Sequence, residues 1–160
     1  MIQILIGCIA CGKSAWSRKK AEEGWLIIND DDIVNMLHGG KYDLYKKELK
    51  QLYKSAENTL FQTAMILGKN IIVDRGLNVT RSSRRRFIGM AHSFDYHVEA
   101  VVFPMSDPMT HAENRMSNDS RGLTTDFWFR AADEQIKRYE PPSYDEGFDT
   151  ILYLEKDWRI

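Results

Sequence analysis

The chain has few of the features that would hold it together or tether it from outside. Among 160 residues there are two cysteines and four prolines. Two thiols cannot build a disulfide framework, so a reducing, cytoplasmic setting is expected. No apolar run approaches the roughly 18 residues of a membrane helix, and no membrane partner is expected. The opening MIQILIG is shorter than the apolar region of a signal peptide and has no basic residue before it. The net charge of −1 excludes a global attraction to nucleic acid, so any polyanion site must be local. Repeats, low-complexity tracts and Pro/Gly-rich linkers are absent as well. What remains is 43% hydrophobic and 28% charged, an ordinary globular composition. Residues 1–160 are therefore expected to form one domain with its own core.

The charge is unevenly placed. Arg75, Arg81, Arg84, Arg85 and Arg86 lie in a stretch without an acid from Arg75 to Phe94. Asp145, Glu146, Asp149, Glu155 and Asp157 compensate in the tail. Apolar runs predict strands at 2–6, 25–29, 70–73, 97–103 and 150–154. Helical spacing fills the gaps at 13–23, 31–37, 80–93, 107–116 and 124–139. A long helix is expected over 42–67, with Leu49, Leu52, Tyr53, Ala56, Leu60, Ala64 and Leu67 on its spacing and Gly68 after it. Alternating strands and helices mean a parallel sheet covered on both faces.

The first chemistry-bearing motif follows the first strand. Gly7-Cys8-Ile9-Ala10-Cys11-Gly12-Lys13-Ser14 fits G-x-x-x-x-G-K-[ST], the phosphate-binding loop. Four constrained positions match by chance in roughly one chain in a hundred at ordinary usage. The motif also has the strand before it and the helix after it that the function needs. Backbone N–H groups at a helix N-terminus would surround nucleotide phosphates, as in ATP. Lys13 would reach the β- and γ-phosphates, and the Ser14 hydroxyl would bind Mg²⁺. Cys8 and Cys11 also form a C-x-x-C, which a redox pair or half a zinc site would share. His38, His92, His97 and His111 offer no ligand spacing to complete a zinc site. The thiols then fill variable loop positions, and the helix terminus should favour thiolate.

Three carboxylates, Asp30, Asp31 and Asp32, follow the second strand, at the edge where open α/β sheets place their sites. One is expected to cap the short helix and another to serve as a base for an acceptor hydroxyl. Asp74 repeats this placement after Ile71-Ile72-Val73 and would hold Mg²⁺ through water or orient the acceptor, with Arg75 beside it adding positive charge. Arg115 and Arg121, with Gly122 as a hinge, suit a lid that brings cations to a transferring phosphoryl group. On a helix, Arg81, Arg84 and Arg85 share one face that could meet a polyanionic acceptor.

Taken in order, GCIACGKS, IINDDDI, IIVDRGLN and NRMSNDSRG resemble the kinase domain of bacteriophage polynucleotide 5′-kinase. The segment YEPPSYDEGFDTI is similar to the tails of related P-loop kinases fused to end-repair enzymes. The resemblance covers nearly the whole chain. It implies a P-loop NTPase three-layer fold, with a five-stranded parallel sheet of order 2-3-1-4-5, helices on both faces and a lid near 115–125. It also implies an ATP- and Mg²⁺-dependent kinase acting on the 5′-hydroxyl of DNA or RNA, single-stranded or at a duplex end. Such an enzyme would work in the cytoplasm, that of a phage-infected host included. The family's base falls on Asp31, its loop lysine and serine on Lys13 and Ser14, its strand-three aspartate on Asp74, and its lid arginine most nearly on Arg121. Asp30 and Val34 stand where the family has arginines, the second of which holds the acceptor's 3′-phosphate. Ile9-Ala10-Cys11 replaces the family's Pro-Gly-Ser. The Arg75–Arg86 cluster would then substitute as acceptor site, or the acceptor is smaller: a nucleoside, sugar or antibiotic hydroxyl. A nucleotide-binding module without phosphotransfer is the reading outside enzymes. No aspartate-x-aspartate phosphatase signature accompanies these motifs, so the kinase would stand alone.

Overall fold

The computed structural model describes residues 1–119 and 121–158; Ser120, within the expected lid, lies outside the described residues. Five parallel strands form one sheet: β1 (Ile2–Ile6), β2 (Leu26–Ile28), β3 (Ile71–Asp74), β4 (Val98–Val102) and β5 (Thr150–Tyr153), in the order β2-β3-β1-β4-β5. The six α-helices among the described residues are α1 (Lys13–Glu22), α2 (Asp30–Leu37), α3 (Lys50–Ile66), α4 (Arg81–His92), α5 (Pro108–Met116) and α6 (Thr125–Lys137). This is the P-loop NTPase architecture and strand order that the motifs imply.

The central strands are apolar on both faces because helices cover both. Ile2, Ile4 and Ile6 pack with Phe61 of α3 and with Phe87, Ile88 and Ala91 of α4. Leu5, Ile72 and Val101 point the other way, toward Cys11, Phe103 and Trp16 of α1. Each fully buried side chain of this kind contributes about 1.5–3 kcal/mol.

Two expectations need correction. The helix expected over 42–67 begins only at Lys50, after two 3₁₀ turns, Tyr42–Leu44 and Lys47–Leu49. Tyr45 and Lys46 between them are extended, and the Tyr53 hydroxyl holds this bend by accepting from Lys46 N–H at 3.2 Å. The face of α3 turned inward is also rotated: Tyr53, Glu57, Phe61, Ala64 and Met65 are buried, while Leu52, Leu60 and Leu67 are exposed. The cap of α2 is Asn29, whose side chain accepts from Asp32 N–H at 3.2 Å, and not one of the aspartates. Asp30, Asp31 and Asp32 instead fill the first turn, where the helix dipole favours negative charge.

The sheet's carboxyl edge is fixed by a polar network. Asn78 is fully buried, and its Nδ2 donates to the carbonyls of Leu5 (3.1 Å) and Val73 (3.0 Å), tying the end of β1 to that of β3. Arg84, also fully buried, donates to the carbonyls of Asn78 and Glu140 at 3.0 Å each. Its guanidinium fork meets both carboxylate oxygens of Glu146, at 2.8 and 2.6 Å. Arg84→Ala leaves Glu146 buried and unpaired and should cost about 3–5 kcal/mol. Urea unfolding should read this as a lower midpoint with an unchanged slope.

Candidate active site

The phosphate loop leaves β1 at Gly7, where only hydrogen fits. A Cβ there would lie 2.6 Å from Cys11 Sγ and 2.9 Å from Phe103 Cβ. Gly12 (φ 111°) and Ala10 (φ 53°) take the left-handed conformations that curl the loop into α1. Gly12 caps α1 with no side chain, so no side-chain oxygen competes for the helix's first amides. Lys13 is nearly buried, and its ammonium donates to the carbonyls of Gly7 (2.8 Å) and Cys8 (2.7 Å). Ser14 is exposed at the helix start. A cavity of about 610 Å³ opens here, bordered by Ala10, Gly12, Lys13 and Ser14 and, across from them, by Asn114 and Arg115. Arg115 lies with its guanidinium 4.7 Å from the centre of the Trp128 ring, so it forms a wall of this cavity.

The loop cysteines depart from expectation. Cys8 is fully buried with Sγ 3.6 Å from the Ala132 carbonyl, and Cys11 is 7% exposed. Burial outweighs the helix terminus and Lys13 and pushes the Cys8 thiol up to about 11. Gly7, Cys8, Ile9 and Cys11 shape the loop from beneath, whereas Ala10, Gly12, Lys13 and Ser14 face the cavity.

Asp74 ends β3 beneath the loop, almost fully buried. The Ser17 hydroxyl lies 3.0 Å from both Asp74 Oδ2 and the Lys13 carbonyl, so Ser17 joins the expected set. Burial pushes the Asp74 carboxyl up, against the opposing charge of Lys13. Among the described residues, no group of three or more His, Cys, Asp or Glu is placed to hold a metal. The exposed Ser14 hydroxyl at the start of α1 and the buried Asp74 carboxylate at the end of β3 are oxygen donors of the kind that suits Mg²⁺, which typically takes few protein oxygens and completes its shell with water and phosphate.

The three aspartates divide their partners. Asp30 pairs with Arg75 at 3.1 Å. Asp31 pairs with Arg121 at 2.7 Å. Burial and its two neighbours push Asp32 up. Arg121 also lies over the Tyr42 ring, 3.9 Å from its centre. The Tyr42 hydroxyl, pushed up to about 12 by burial and by Asp31, stays a donor to that carboxylate. Asp30 and Asp31 open onto a second cavity of about 490 Å³. Its walls include Tyr42, Tyr45 and Tyr53, of which Tyr42 and Tyr45 are stacked at 6.3 Å and Tyr45 and Tyr53 are tilted at 5.3 Å. Lys50 and Lys54, one turn apart on α3, also face it. At its floor the buried Glu57 joins Arg75 (2.9 Å) and Arg86.

The expected basic face of α4 does not form. Arg84 is committed to Glu146, and Arg81 pairs with Asp145. Arg81 and Arg85 border a different cavity, shared with Glu140, Asp145 and Glu146. Among the expected acceptor residues, Asp31 and Arg75 share a cavity, and Asp74 lies under the phosphate loop. Sequence reasoning missed the three tyrosines and Lys50/Lys54. The i, i+4 lysine pair downstream of the acids was the available signal.

The family model of an AAA domain matches residues 2–142. No curated protein matches the chain. Among solved structures, a Chloroflexus aurantiacus protein provisionally assigned as a kinase aligns with a TM-score of 0.66 at 12% identity, covering 99% of this chain and 86% of that one. Shikimate kinase from Acinetobacter baumannii, in complex with shikimate, gives 0.59 at 16%, covering 96% and 83%. A chain of the Pnkp1/Rnl/Hen1 RNA repair complex gives 0.60 at 18%, covering 87% of this chain and 46% of that one. The fold is thus one shared with kinases.

The geometry gives two kinds of outcome, the first for transfer by substituted chains and the second for the loop thiols. On the expectation of a kinase, Lys13→Ala should lower phosphotransfer on the order of a thousandfold. Asp31→Asn should lower it about 10²–10⁴-fold while nucleotide binding persists, and Asp30→Asn, whose carboxylate serves Arg75, should do less. Equal losses in the two asparagine variants would reject Asp31 as the base. Thiol labelling of the native chain gives the second outcome. Cys8, with no exposed surface and its thiol pushed up by burial, should label slowly in the native chain and rapidly once urea unfolds it. Mass spectrometry of labelled peptides reads both rate and site.

Proposed function

The chain belongs to the AAA domain family, and on that footing we propose that it is an ATP-dependent kinase that phosphorylates the 5′-hydroxyl of DNA or RNA. Lys13 and Mg²⁺, held by Ser14 and Asp74, would steady the donor phosphates. Arg115 borders the donor cavity. Asp31 accepts the hydroxyl proton or orients the attacking oxygen, and Arg121 adds positive charge beside it. Any hydroxyl acceptor would need these parts, so they leave its identity open.

One observation carries the nucleic-acid reading: Asp31 shares its cavity with an aromatic wall and two lysines free of ion-pair partners among the described residues. Tyrosine rings stack bases, at about 1–3 kcal/mol per base. Lys50 and Lys54 suit backbone phosphates and stand in for the cation missing at Val34 and for the inward-turned Arg84. A polyol would leave the tyrosine wall unmatched.

The test incubates the chain with labelled ATP, 5′-hydroxyl DNA and RNA oligonucleotides, nucleosides, and polyols including shikimate. Oligonucleotides should be labelled first. Lys50→Gln with Lys54→Gln should raise the oligonucleotide KM and reduce the slope of log affinity against log salt by about 2. Preferential labelling of a nucleoside or polyol would replace this reading with a small-molecule kinase. ATP binding without any transfer would leave a nucleotide-binding module.

A further inference from the structure

The phosphate loop is gripped by the two helices on either side of the expected lid. From α6, Gln135 Oε1 accepts the N–H of Ile9 at 2.8 Å, and one turn earlier the Ala132 carbonyl lies 3.6 Å from Cys8 Sγ. From α5 comes His111, 2% exposed. Its Nε2 accepts the N–H of Ser106 at 3.1 Å. A neutral imidazole that accepts at Nε2 carries its proton on Nδ1. Burial first, then the charge of Lys13, keeps this ring neutral. Nδ1 is buried without a hydrogen-bond partner, and the backbone of Ile9 lies near the ring. A buried donor without an acceptor is costly, so a small loop adjustment that satisfies it is favoured. The phosphate chemistry itself makes no use of either side chain.

We propose that His111 and Gln135 are positioning residues that set the phosphate loop for nucleotide by engaging the two backbone groups of Ile9, Gln135 at the N–H and His111 Nδ1–H at the carbonyl. Ile9 is the third residue of the loop, upstream of the Gly12–Ser14 amides that face the donor cavity. Fixing its two peptide planes fixes the entry to that curve. Nucleotide binding and the His111–Ile9 bond then favour the same loop conformation, so each strengthens the other. Gly76, whose added Cβ would come 3.2 Å from Gln135 Nε2, leaves the room this amide needs. The inference rests on nucleotide binding by the loop and is independent of the acceptor.

The experiment uses the full chain and a fluorescent ADP analogue with Mg²⁺, so it needs no phosphorylated product. Gln135→Leu and His111→Phe should each weaken binding about tenfold, the value of one hydrogen bond. His111→Asn, which keeps a donor at the Nδ1 position, should restore most of the loss. The double variant should lose less than the product of the single losses, because both act through Ile9. Where transfer is measurable, KM for ATP should rise and KM for the acceptor should not. In ¹⁵N-histidine spectra of the wild type, His111 should be the Nδ1–H form, and its proton should move downfield on adding Mg·ADP. Unchanged nucleotide affinity in both folded single variants would overturn the proposal, as would an Nε2–H ring or an unmoved resonance. If His111→Phe fails to fold, the wild-type spectra and Gln135→Leu decide the matter by the same criteria.

Discussion

One amide side chain holds together the edge on which the site is built. Asn78 donates at once to the last turns of β1 and β3, through the carbonyls of Leu5 and Val73. Parallel strands diverge where their ladder ends, and in this fold the divergence must be controlled, because the phosphate loop leaves one strand and Asp74 closes the other. Backbone carbonyls buried there need donors. Asn78 supplies them and is itself held by Arg84, which is clamped by Glu146 from the segment before β5. The tail acids therefore do more than balance charge: one of them secures, through two buried side chains, the spacing beneath the nucleotide loop.

Much of the uneven charge in the sequence is absorbed in this way. Arg84 faces inward, Arg75 and Arg86 converge on the buried Glu57, and Arg81 meets Asp145. A buried carboxylate such as Glu57 resists ionisation, and the two guanidinia oppose that resistance. The result is a rigid floor under the acceptor cavity. At the acceptor cavity, the cations without an ion-pair partner among the described residues are Lys50 and Lys54.

The strands and the phosphate loop were legible because local pattern decides them. Ile2 to Ile6 is buried at every position and apolar at all but Gln3, whose amide finds Glu99 and Trp16, and the glycines at 7 and 12 sit where a side chain or an ordinary φ would fail. The fates of Arg84 and Cys8 were not legible, since both depend on partners far along the chain: Glu146 is 62 residues away and Ala132 is 124. Helical spacing placed Arg81, Arg84 and Arg85 on one face but could not say that the face turns inward at Arg84. The late start of α3 has the same origin. Its first turns lose to a bend held by Tyr53, whose hydroxyl also lies 2.8 Å from His38 Nε2. That bend is what brings Tyr42 and Tyr45 over the cavity, so the aromatic wall is a tertiary product that no single segment encodes.

The two cavities share little lining, and Arg121 reaches the acceptor side. Its guanidinium lies on Asp31 and over Tyr42, at the mouth of the acceptor cavity, while Arg115 borders the donor cavity from the far end of α5. Arg115 lies in the last turn of α5 and Arg121 in the connection from α5 to α6, so the two are only six residues apart in the chain. On the proposed reading, Arg121 meets Asp31 through Nη2 at 2.7 Å, which leaves its other N–H groups to meet a phosphoryl oxygen. On that reading Arg121 would bridge Asp31 and the phosphoryl group, or pass from the first to the second as the acceptor hydroxyl arrives. Tyr42 suits that exchange: its ring holds the arginine without a formal charge, and its hydroxyl stays on Asp31 when the arginine leaves.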